Sequence, residues 1–173
     1  MNEGIAQSAG HLLIDFGTTS TKSALVDLEN GVFSQVRRHD ALPRLDKRPG
    51  RYEVDPAAIW QRFSTICATY DALVPLAGIV VCAEMHGFVL LDDDDVPISP
   101  YIGWLDGRSL EEIDGESTFS LLERQLGPDF KHLTGMRPRP GFPLFNLLHL
   151  ARDGGLPSRV RPATLPDWLA LCT

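Results

Sequence analysis

The chain has few cysteines and no long apolar stretch. Its only cysteines are Cys67, Cys82 and Cys172, and none has the CxxC or Cys/His spacing of a metal site. An odd number of scattered cysteines favours reduced, mostly buried thiols in a cytosolic protein. The N-terminal MNEGIAQSAG lacks the basic and apolar parts of a signal peptide, and the apolar runs are too short to span a bilayer. We therefore expect no membrane partner and a cytoplasmic location.

A concentration of positive charge is also absent. The chain has 16 Lys and Arg against 23 Asp and Glu, a formal net charge of −7, whereas nucleic-acid-binding domains usually carry a basic face. The nearest candidate is a run that Pro, Gly and Asp interrupt, as in a solvated loop: Arg37, Arg38, Arg44, Lys47, Arg48 and Arg51. We expect no nucleic-acid partner. The 173 residues, 43% of them hydrophobic, suffice for one domain, or a domain plus a subdomain, with a core of its own.

Several familiar catalytic patterns are missing as well. The chain has no GxGxxG, and a Walker A loop would need glycines where Phe16 and Thr21 stand. It has no Gly-x-Ser-x-Gly elbow and no Ser/His/Asp set. The aspartates at 92–95 lack the alternate spacing of an EF-hand, which favours a solvated turn over a metal site.

Hydrophobic periodicity predicts a mixed α/β fold. Three strands come first, at 11–16, 21–28 and 32–38, and Asn30-Gly31 is a strong hairpin signal between the last two. Asp55-Pro56 predicts the start of a helix that runs to about Leu73. The apolar run AGIVVC predicts a strand buried on both faces, as in a parallel sheet covered by helices.

The rest of the chain alternates short strands and helices. The order of its expected elements is a strand at 88–91, extended chain at 96–102, an acidic helical stretch from Ser109 that Gly115 interrupts and 119–126 resumes, a loop at 128–142, a helix at 144–152 and a last strand or short helix at 163–171. The whole order predicts a ribonuclease-H-like α/β core, with a three-stranded antiparallel meander extended by parallel strands and helices on both faces.

The first candidate site follows the first strand. Asp15 ends the strand, and the turn Gly17-Thr18-Thr19-Ser20 leads to Lys22. Such turns aim backbone N–H groups and hydroxyls at one point and make a nest for phosphate oxygens. The carboxylate can hold Mg²⁺, which prefers oxygen ligands, and Lys22 can pair with phosphate. The alternative is an ordinary polar hairpin turn.

Two further segments have chemistry suited to sugars. Glu84-Met85-His86-Gly87 follows the AGIVVC strand, where α/β sheets place their ligands. A histidine can hydrogen-bond a sugar hydroxyl, and Met85 can press an apolar sugar face; the alternative is a core histidine. Trp104-x-Asp106-x-Arg108 combines an aromatic face, a carboxylate and a guanidinium. The alternative there is a core Trp followed by a surface Asp–Arg pair.

In this order, these segments resemble the N-terminal domain of the FGGY carbohydrate kinases. The resemblance covers nearly all of 11–173 and rests on the opening hairpin LLIDFGTTSTKSALVDLENG, on YEVDPAAIW, on the xylulokinase-like Met-His-Gly followed by Trp-x-Asp-x-Arg, and on TGMRPRPGFPLFNLLHLAR and ATLPDWLALCT. It implies an actin-like ATPase fold of two ribonuclease-H-like domains around a cleft. Sugar binds mainly to the first domain and nucleotide mainly to the second.

The resemblance also implies roles for individual residues. Asp15 would serve Mg²⁺, and ATP phosphate would face Gly17, Thr18, Thr19, Ser20 and Lys22. Sugar binding would fall to Glu84, Met85, His86, Trp104, Asp106 and Arg108, with Arg108 in a supporting position. Glu84 stands where many xylulokinase relatives have Gln. The implied catalytic Asp and nucleotide-binding motifs have no counterpart here, so we expect residues 11–173 to be a kinase domain incomplete at its C-terminal end.

The sequence therefore predicts the sugar-binding part of an ATP-dependent kinase that phosphorylates a ketose such as xylulose. We expect it to be inactive without a C-terminal kinase lobe, to use ATP and Mg²⁺, and to have a disordered or extended N-terminus at 1–10. Whether it forms a homo-oligomer is left open. The alternative function is a stand-alone sugar-binding or regulatory module. A fragment of a chaperone-type or cytoskeletal ATPase is a third reading, against which the Met85-His86 and Trp104-x-Asp106 segments argue.

Overall fold

The computed structural model describes residues 10–173. The N-terminal segment expected to be disordered or extended lies outside the described residues, apart from Gly10, which opens the first strand. The described chain forms two compact units. Unit 1 contains residues 10–42 and Ala57–Glu84, and unit 2 contains Pro43–Pro56 and Met85–Thr173. None of the described helices is both long enough and apolar enough to cross a membrane.

The described elements have the following bounds. The strands are β1 Gly10–Phe16, β2 Ser20–Asp27, β3 Val32–Asp40, β4 Glu53–Val54, β5 Leu76–Ala83, β6 Val89–Leu91, β7 Tyr101–Ile102, β8 Glu112–Ile113, β9 Glu116–Ser117 and β10 Arg161–Ala163. The helices are α1 Pro56–Asp71, α2 Thr118–Leu126, α3 Phe130–Thr134, α4 Pro143–Arg152 and α5 Leu165–Leu171, with a 3₁₀ turn at Arg108–Leu110.

Unit 1 is built on a mixed sheet with the strand order β3-β2-β1-β5. β1 pairs antiparallel with β2, β2 pairs antiparallel with β3, and β5 joins the other side of β1 in parallel. The carboxylate of Asp27 closes the β2–β3 hairpin by accepting the backbone N–H groups of Glu29 and Asn30. The predicted meander followed by a parallel strand is thereby confirmed, and the order is that of a ribonuclease-H-like core.

The burial expected for β5 is wrong. Ile79 and Val80 are 40% and 41% exposed, because β5 is an edge strand whose neighbour among the described residues is β1. Within the described part of unit 1, one helix, α1, accompanies the sheet. The expectation of mostly buried thiols is also wrong, since Cys82 and Cys172 are exposed. Cys67 is partly buried, and burial raises the pKa of its thiol.

Helix α1 presents the apolar face that its spacing predicts. The buried residues of this face are Ile59, Phe63, Ile66 and Tyr70. Tyr70 also ties the helix to the sheet, because its hydroxyl donates to the Gln35 carbonyl at 2.6 Å and lies 3.1 Å from Ser23 Oγ. Ser23 Oγ also lies 3.1 Å from the ring of His39. Burial, together with the charges of Arg62 and Arg37, lowers the pKa of His39.

Unit 2 has a separate core. Its centre is Phe88, Leu90 and Ile102, against which apolar side chains of α4 and the following loop pack: Leu147, Leu150, Leu156 and Val160. His149 of α4 is 3% exposed, and its Nδ1 lies 3.3 Å from the Thr118 hydroxyl. Burial lowers the pKa of His149. These surroundings are typical of a histidine with a structural role.

Two expected elements of unit 2 differ in the structure. The acidic stretch from Ser109 forms a 3₁₀ turn and the β8–β9 hairpin in place of a helix. Asp114 and Gly115, with φ of 55° and 82°, supply the turn that Asp-Gly favours in two-residue hairpins. The expected loop at 128–142 contains α3, and the ambiguous 163–171 segment holds the end of β10 followed by α5. The run Asp92–Asp95 is a turn in which Asp92 Oδ1 accepts two backbone N–H groups.

We predict that Tyr70→Phe lowers the free energy of unfolding by about 1–2 kcal/mol, because the buried Ser23 hydroxyl and the Gln35 carbonyl each lose a hydrogen-bond partner. Urea denaturation followed by circular dichroism measures the change. Thr69→Ala is the matched control, since the exposed Thr69 hydroxyl donates within the same helix and its loss should cost at most about 0.5 kcal/mol. Equal stability of Tyr70→Phe and wild type would contradict the prediction.

Candidate functional site

The polar turn of unit 1 connects β1 to β2. Gly17 N donates to Ser20 O at 3.1 Å and so closes the connection between β1 and β2. Asp15 and Lys22 face each other across the two strands. Lys22 Nζ lies 3.8 Å from Asp15 Oδ2, and both side chains are about half exposed, at 59% and 44%. The structure thus brings together the carboxylate, the amine and the hydroxyl-bearing turn that the sequence singled out.

Glu84 belongs to the surroundings of this turn. Its backbone N–H donates to Phe16 O at 3.0 Å and so extends the pairing of β5 with β1. Its carboxylate accepts a hydrogen bond of 2.5 Å from the Thr18 hydroxyl. The sequence assigned Glu84 to the sugar, whereas the structure places its Oε2 against the predicted phosphate turn. This hydrogen bond to Glu84 fixes the orientation of the Thr18 side chain.

Unit 2 contains a pocket of about 270 Å³. The residues that line it are Met85, His86, Trp104, Arg139, Gly141 and Phe142. Three of them, Met85, His86 and Trp104, are predicted sugar-binding residues from two separate segments. The imidazole of His86 lies 4.5 Å from the ring of Phe142, centroid to centroid, with the planes tilted by 39°. The lining is therefore rich in flat side chains and contains no carboxylate or amide.

The backbone around the pocket is unusual at two points. His86 has a φ of 66°, a left-handed conformation that few non-glycine residues adopt. Gly141 passes so close to the Trp104 backbone that a Cβ there would lie 1.7 Å from the Trp104 carbonyl oxygen. A side chain at 141 would push the two segments apart. The first feature concerns the backbone of His86, and the second lets the segment of Gly141 approach that of Trp104.

Asp106 has surroundings that differ from its expected contact with sugar. The residue is fully buried, and its two carboxylate oxygens accept from the backbone N–H of Tyr52 and from the backbone N–H, Nε and Nη2 of Arg108, at 2.7–3.1 Å. The carboxylate has no exposed face on which to receive a hydroxyl. The expected sugar contact is corrected to a structural one: Asp106 anchors the segment that carries Trp104.

Arg108 is the cationic half of the same cluster. Its side chain is 4% exposed and also donates to Glu53 Oε1 at 2.6 Å. Burial by itself would lower the pKa of Arg108, but hydrogen bonds to Asp106 and Glu53 and their charges raise it above its ordinary value. Arg108 therefore supports the site from behind, and direct contact with a ligand is excluded in this arrangement.

Sequence reasoning missed half of the pocket lining and half of the buried cluster. Arg139, Gly141 and Phe142 lie in a Pro/Gly-rich segment that was read as a loop, although loops before a helix often carry function. Glu53 and Tyr52 precede a recognised helix start. The signal for Arg139 is its place directly before Pro-Gly-Phe, whereas Glu53, two residues after the last arginine of the basic run and two before Asp55, has no distinctive local signal.

Few of the described side chains at the polar turn can bind a cation. Among residues 10–173, no group of three or more His, Cys, Asp or Glu side chains is placed to hold a metal ion. Asp15, half exposed near the end of β1, presents one carboxylate, and Mg²⁺ usually keeps several waters and takes one or two protein carboxylates. A Mg²⁺ ion at this turn would therefore rely on water and phosphate for its remaining ligands.

The sheet of unit 1, with its strand order and polar first turn, defines an α/β protein of the ribonuclease-H-like, actin-like ATPase fold. Residues 11–156 match the model of the N-terminal domain of the FGGY family of carbohydrate kinases. The chain belongs to this family.

Individual relatives agree with the family model. The chain is 30% identical over 163 residues to the xylulose kinase of Klebsiella pneumoniae, covering 91% of this chain and 32% of that protein. It is 30% identical over 116 residues to the gluconokinase of Bacillus subtilis, covering 61% and 22%. The crystal structure of a xyloylose kinase from Brucella ovis superposes with a TM-score of 0.78 at 29% identity, covering 94% and 34%. The chain thus spans about a third of the length of these relatives.

We predict that Asp106→Asn destabilises the protein by about 3 kcal/mol, because breaking a buried ion pair leaves Arg108 without its main counter-charge. Thermal and urea unfolding measure the loss. Asp167→Asn is the control, since Asp167 is part of an exposed cap and its charge should be worth about 1 kcal/mol or less. Similar small losses in both variants would mean that the Asp106–Arg108 pair contributes little.

Proposed function

We propose that this chain is the sugar-binding part of an ATP-dependent carbohydrate kinase. The observation that carries the proposal is the pocket in which His86, Trp104 and Phe142 present ring faces beside Met85. Sugars offer C–H faces that stack on aromatic rings and hydroxyls that hydrogen-bond to ring nitrogens. The volume of about 270 Å³ is suited to a small sugar. Family membership supplies the reaction class.

Within the pocket, the residues have different tasks in this proposal. Trp104, 41% exposed, offers its indole face to the sugar. His86 hydrogen-bonds a hydroxyl, and its left-handed backbone fixes the direction of the ring. Met85, 75% exposed, covers an apolar side of the substrate. Asp106 and Arg108 act as positioning residues that hold the Trp104 segment. A ketose such as xylulose is the first substrate to test, as the xylulose kinase relatives suggest.

The turn of unit 1 supplies the phosphate side of the proposed reaction. The turn Gly17–Ser20 would bind phosphate oxygens through its donors other than the Gly17 N–H and the Thr18 hydroxyl, which are bonded to Ser20 and Glu84, and Lys22 would balance the phosphate charge. Glu84 positions Thr18 within this turn by accepting its hydroxyl proton in a hydrogen bond. Asp15 would hold Mg²⁺, which when bound neutralises charge on the phosphate oxygens.

Phosphoryl transfer requires that a sugar hydroxyl reach the γ-phosphorus in line and lose its proton. Positioning and charge stabilisation supply most of the rate enhancement in such reactions. The residues described here bind and orient the sugar, and the turn orients phosphate. The pocket lining contains no carboxylate that could accept the hydroxyl proton. We therefore assign to this chain the binding and orienting steps, and the proton-accepting base to another part of the complete kinase.

A stand-alone sugar-binding or regulatory module is the second candidate function. It rests on the same pocket and needs no phosphate turn. The polar turn favours the kinase proposal, because the juxtaposed Asp15 and Lys22 and the fixed Thr18 have no role in sugar binding alone.

We predict that xylulose or another ketose, titrated without nucleotide, shifts the Trp104 indole and the amides of 85–87 in NMR spectra of the isotope-labelled chain. Trp104→Ala should reduce ketose affinity at least tenfold, because the stacking face is lost, while the remaining amide spectrum stays dispersed. Trp60→Ala, on α1 and 37% exposed, is the matched control and should leave affinity unchanged. If no sugar in a panel of ketoses, polyols and sugar acids produced selective shifts, the proposed function would be contradicted.

We also predict that the 173-residue chain alone transfers no phosphate from ATP to any sugar that it binds, because its pocket lining contains no carboxylate to accept the hydroxyl proton. Phosphorus NMR of chain, MgATP and sugar over a day is the measurement. Accumulation of a sugar phosphate above a protein-free control would refute this assignment of roles.

A further inference from the structure

Arg139 is a charged pocket residue that the proposed sugar contacts leave without a task. It lines the pocket together with Trp104 and His86 and is exposed to solvent. Its backbone carbonyl accepts from Phe142 N at 3.1 Å, which fixes the main chain of residue 139 relative to a second lining residue. Among residues 10–173, no carboxylate lies within ion-pair distance of its guanidinium, although several other arginines have such partners.

Within residues 10–173, the lining of this pocket carries a net positive charge. Its six lining residues include one permanent cation and no Asp or Glu. Along the sequence, the carboxylate nearest to Trp104 is that of Asp106. This carboxylate is fully buried and paired with Arg108. This lining offers donors and ring faces, together with a fork of N–H groups that matches a carboxylate.

We infer that Arg139 is a specificity-determining residue and that the pocket takes sugar acids, with the substrate carboxylate bound by its guanidinium. The inference rests on the proposed function and extends it from neutral ketoses to aldonates. The ring faces of Trp104 and Phe142 contact the carbon chain of such a ligand, and the carboxylate occupies the Arg139 end of the pocket. The hydroxyl to be phosphorylated is then placed away from the carboxylate.

Calorimetric titration of the full chain with matched ligands tests this inference. The probes are gluconate and fructose, which have equal carbon number and differ in charge, with acetate as a test for general anion binding. Gluconate should bind about tenfold or more tightly than fructose, and acetate should not bind measurably, since a charge-assisted bidentate contact adds to the sugar contacts.

Arg139→Gln should lower gluconate affinity about tenfold and leave fructose affinity unchanged, and Arg139→Lys should restore part of the loss. Arg137→Gln is the matched control, because it removes the same charge two residues away from an exposed position outside the pocket lining. Both positions are exposed, so the variants should keep the amide spectrum of the wild type.

Four results would overturn the inference. Unchanged gluconate affinity in Arg139→Gln, or an equal loss in Arg137→Gln, would show that the guanidinium at 139 does not bind the carboxylate. Binding of fructose without gluconate would overturn the inference and leave the proposed sugar-binding function intact. Binding of neither ligand, nor of any sugar in the wider panel, would overturn both.

Discussion

The buried pairing of Asp106 with Arg108 is the interaction on which the candidate sugar site depends. A carboxylate and a guanidinium are costly to remove from water, and they are tolerated here because nearly every polar atom of both groups is hydrogen-bonded. The cluster reaches back to Tyr52 and Glu53, some 50 residues earlier in the chain. Asn146 of α4 joins it by donating to the Asp106 carbonyl at 3.0 Å. Three distant segments thus meet at one point beneath the Trp104 turn.

This arrangement divides the work at the site between two layers. In the inner layer, Asp106, Arg108 and Glu53 form their hydrogen bonds within the protein. The exposed layer of Met85, His86 and Trp104 is left to meet a ligand. A turn held from beneath in this way keeps its aromatic side chain in one orientation, and preorganisation of that kind reduces the entropy lost when a ligand binds.

Local patterns predicted the elements well where one pattern alone was present. The β1–β3 meander followed from alternation and Asn-Gly, and α1 followed from Asp-Pro and a 3.6-residue apolar spacing. The acidic stretch from Ser109 was misread because helix-forming residues outweighed the Asp114-Gly115 turn signal. The burial of β5 was misjudged since an apolar run alone does not reveal whether a strand lies at the edge of its sheet.

The candidate site was predictable in its residue types and less so in their roles. Met85, His86 and Trp104 meet in one pocket, as their chemistry indicated. Asp106 and Arg108 were grouped with them, but which of two neighbouring polar residues turns inward depends on tertiary partners such as Glu53 and Tyr52. Glu84 was placed with the sugar because it precedes Met85, yet its side chain bonds Thr18. Arg139 is not among the predicted site residues, although it stands directly before Pro-Gly-Phe.

The edge position of β5 has a consequence for how the chain behaves at high concentration. The sequence LAGIVVCA contains no charged residue and no proline, the two devices that most often keep sheet edges from joining other molecules. Its half-exposed Ile79 and Val80 add apolar surface to a row of backbone groups that β1 satisfies on one side. This strand is thus the segment of unit 1 best suited to recruit a foreign strand, and crowding, long storage or slow folding would act on it first.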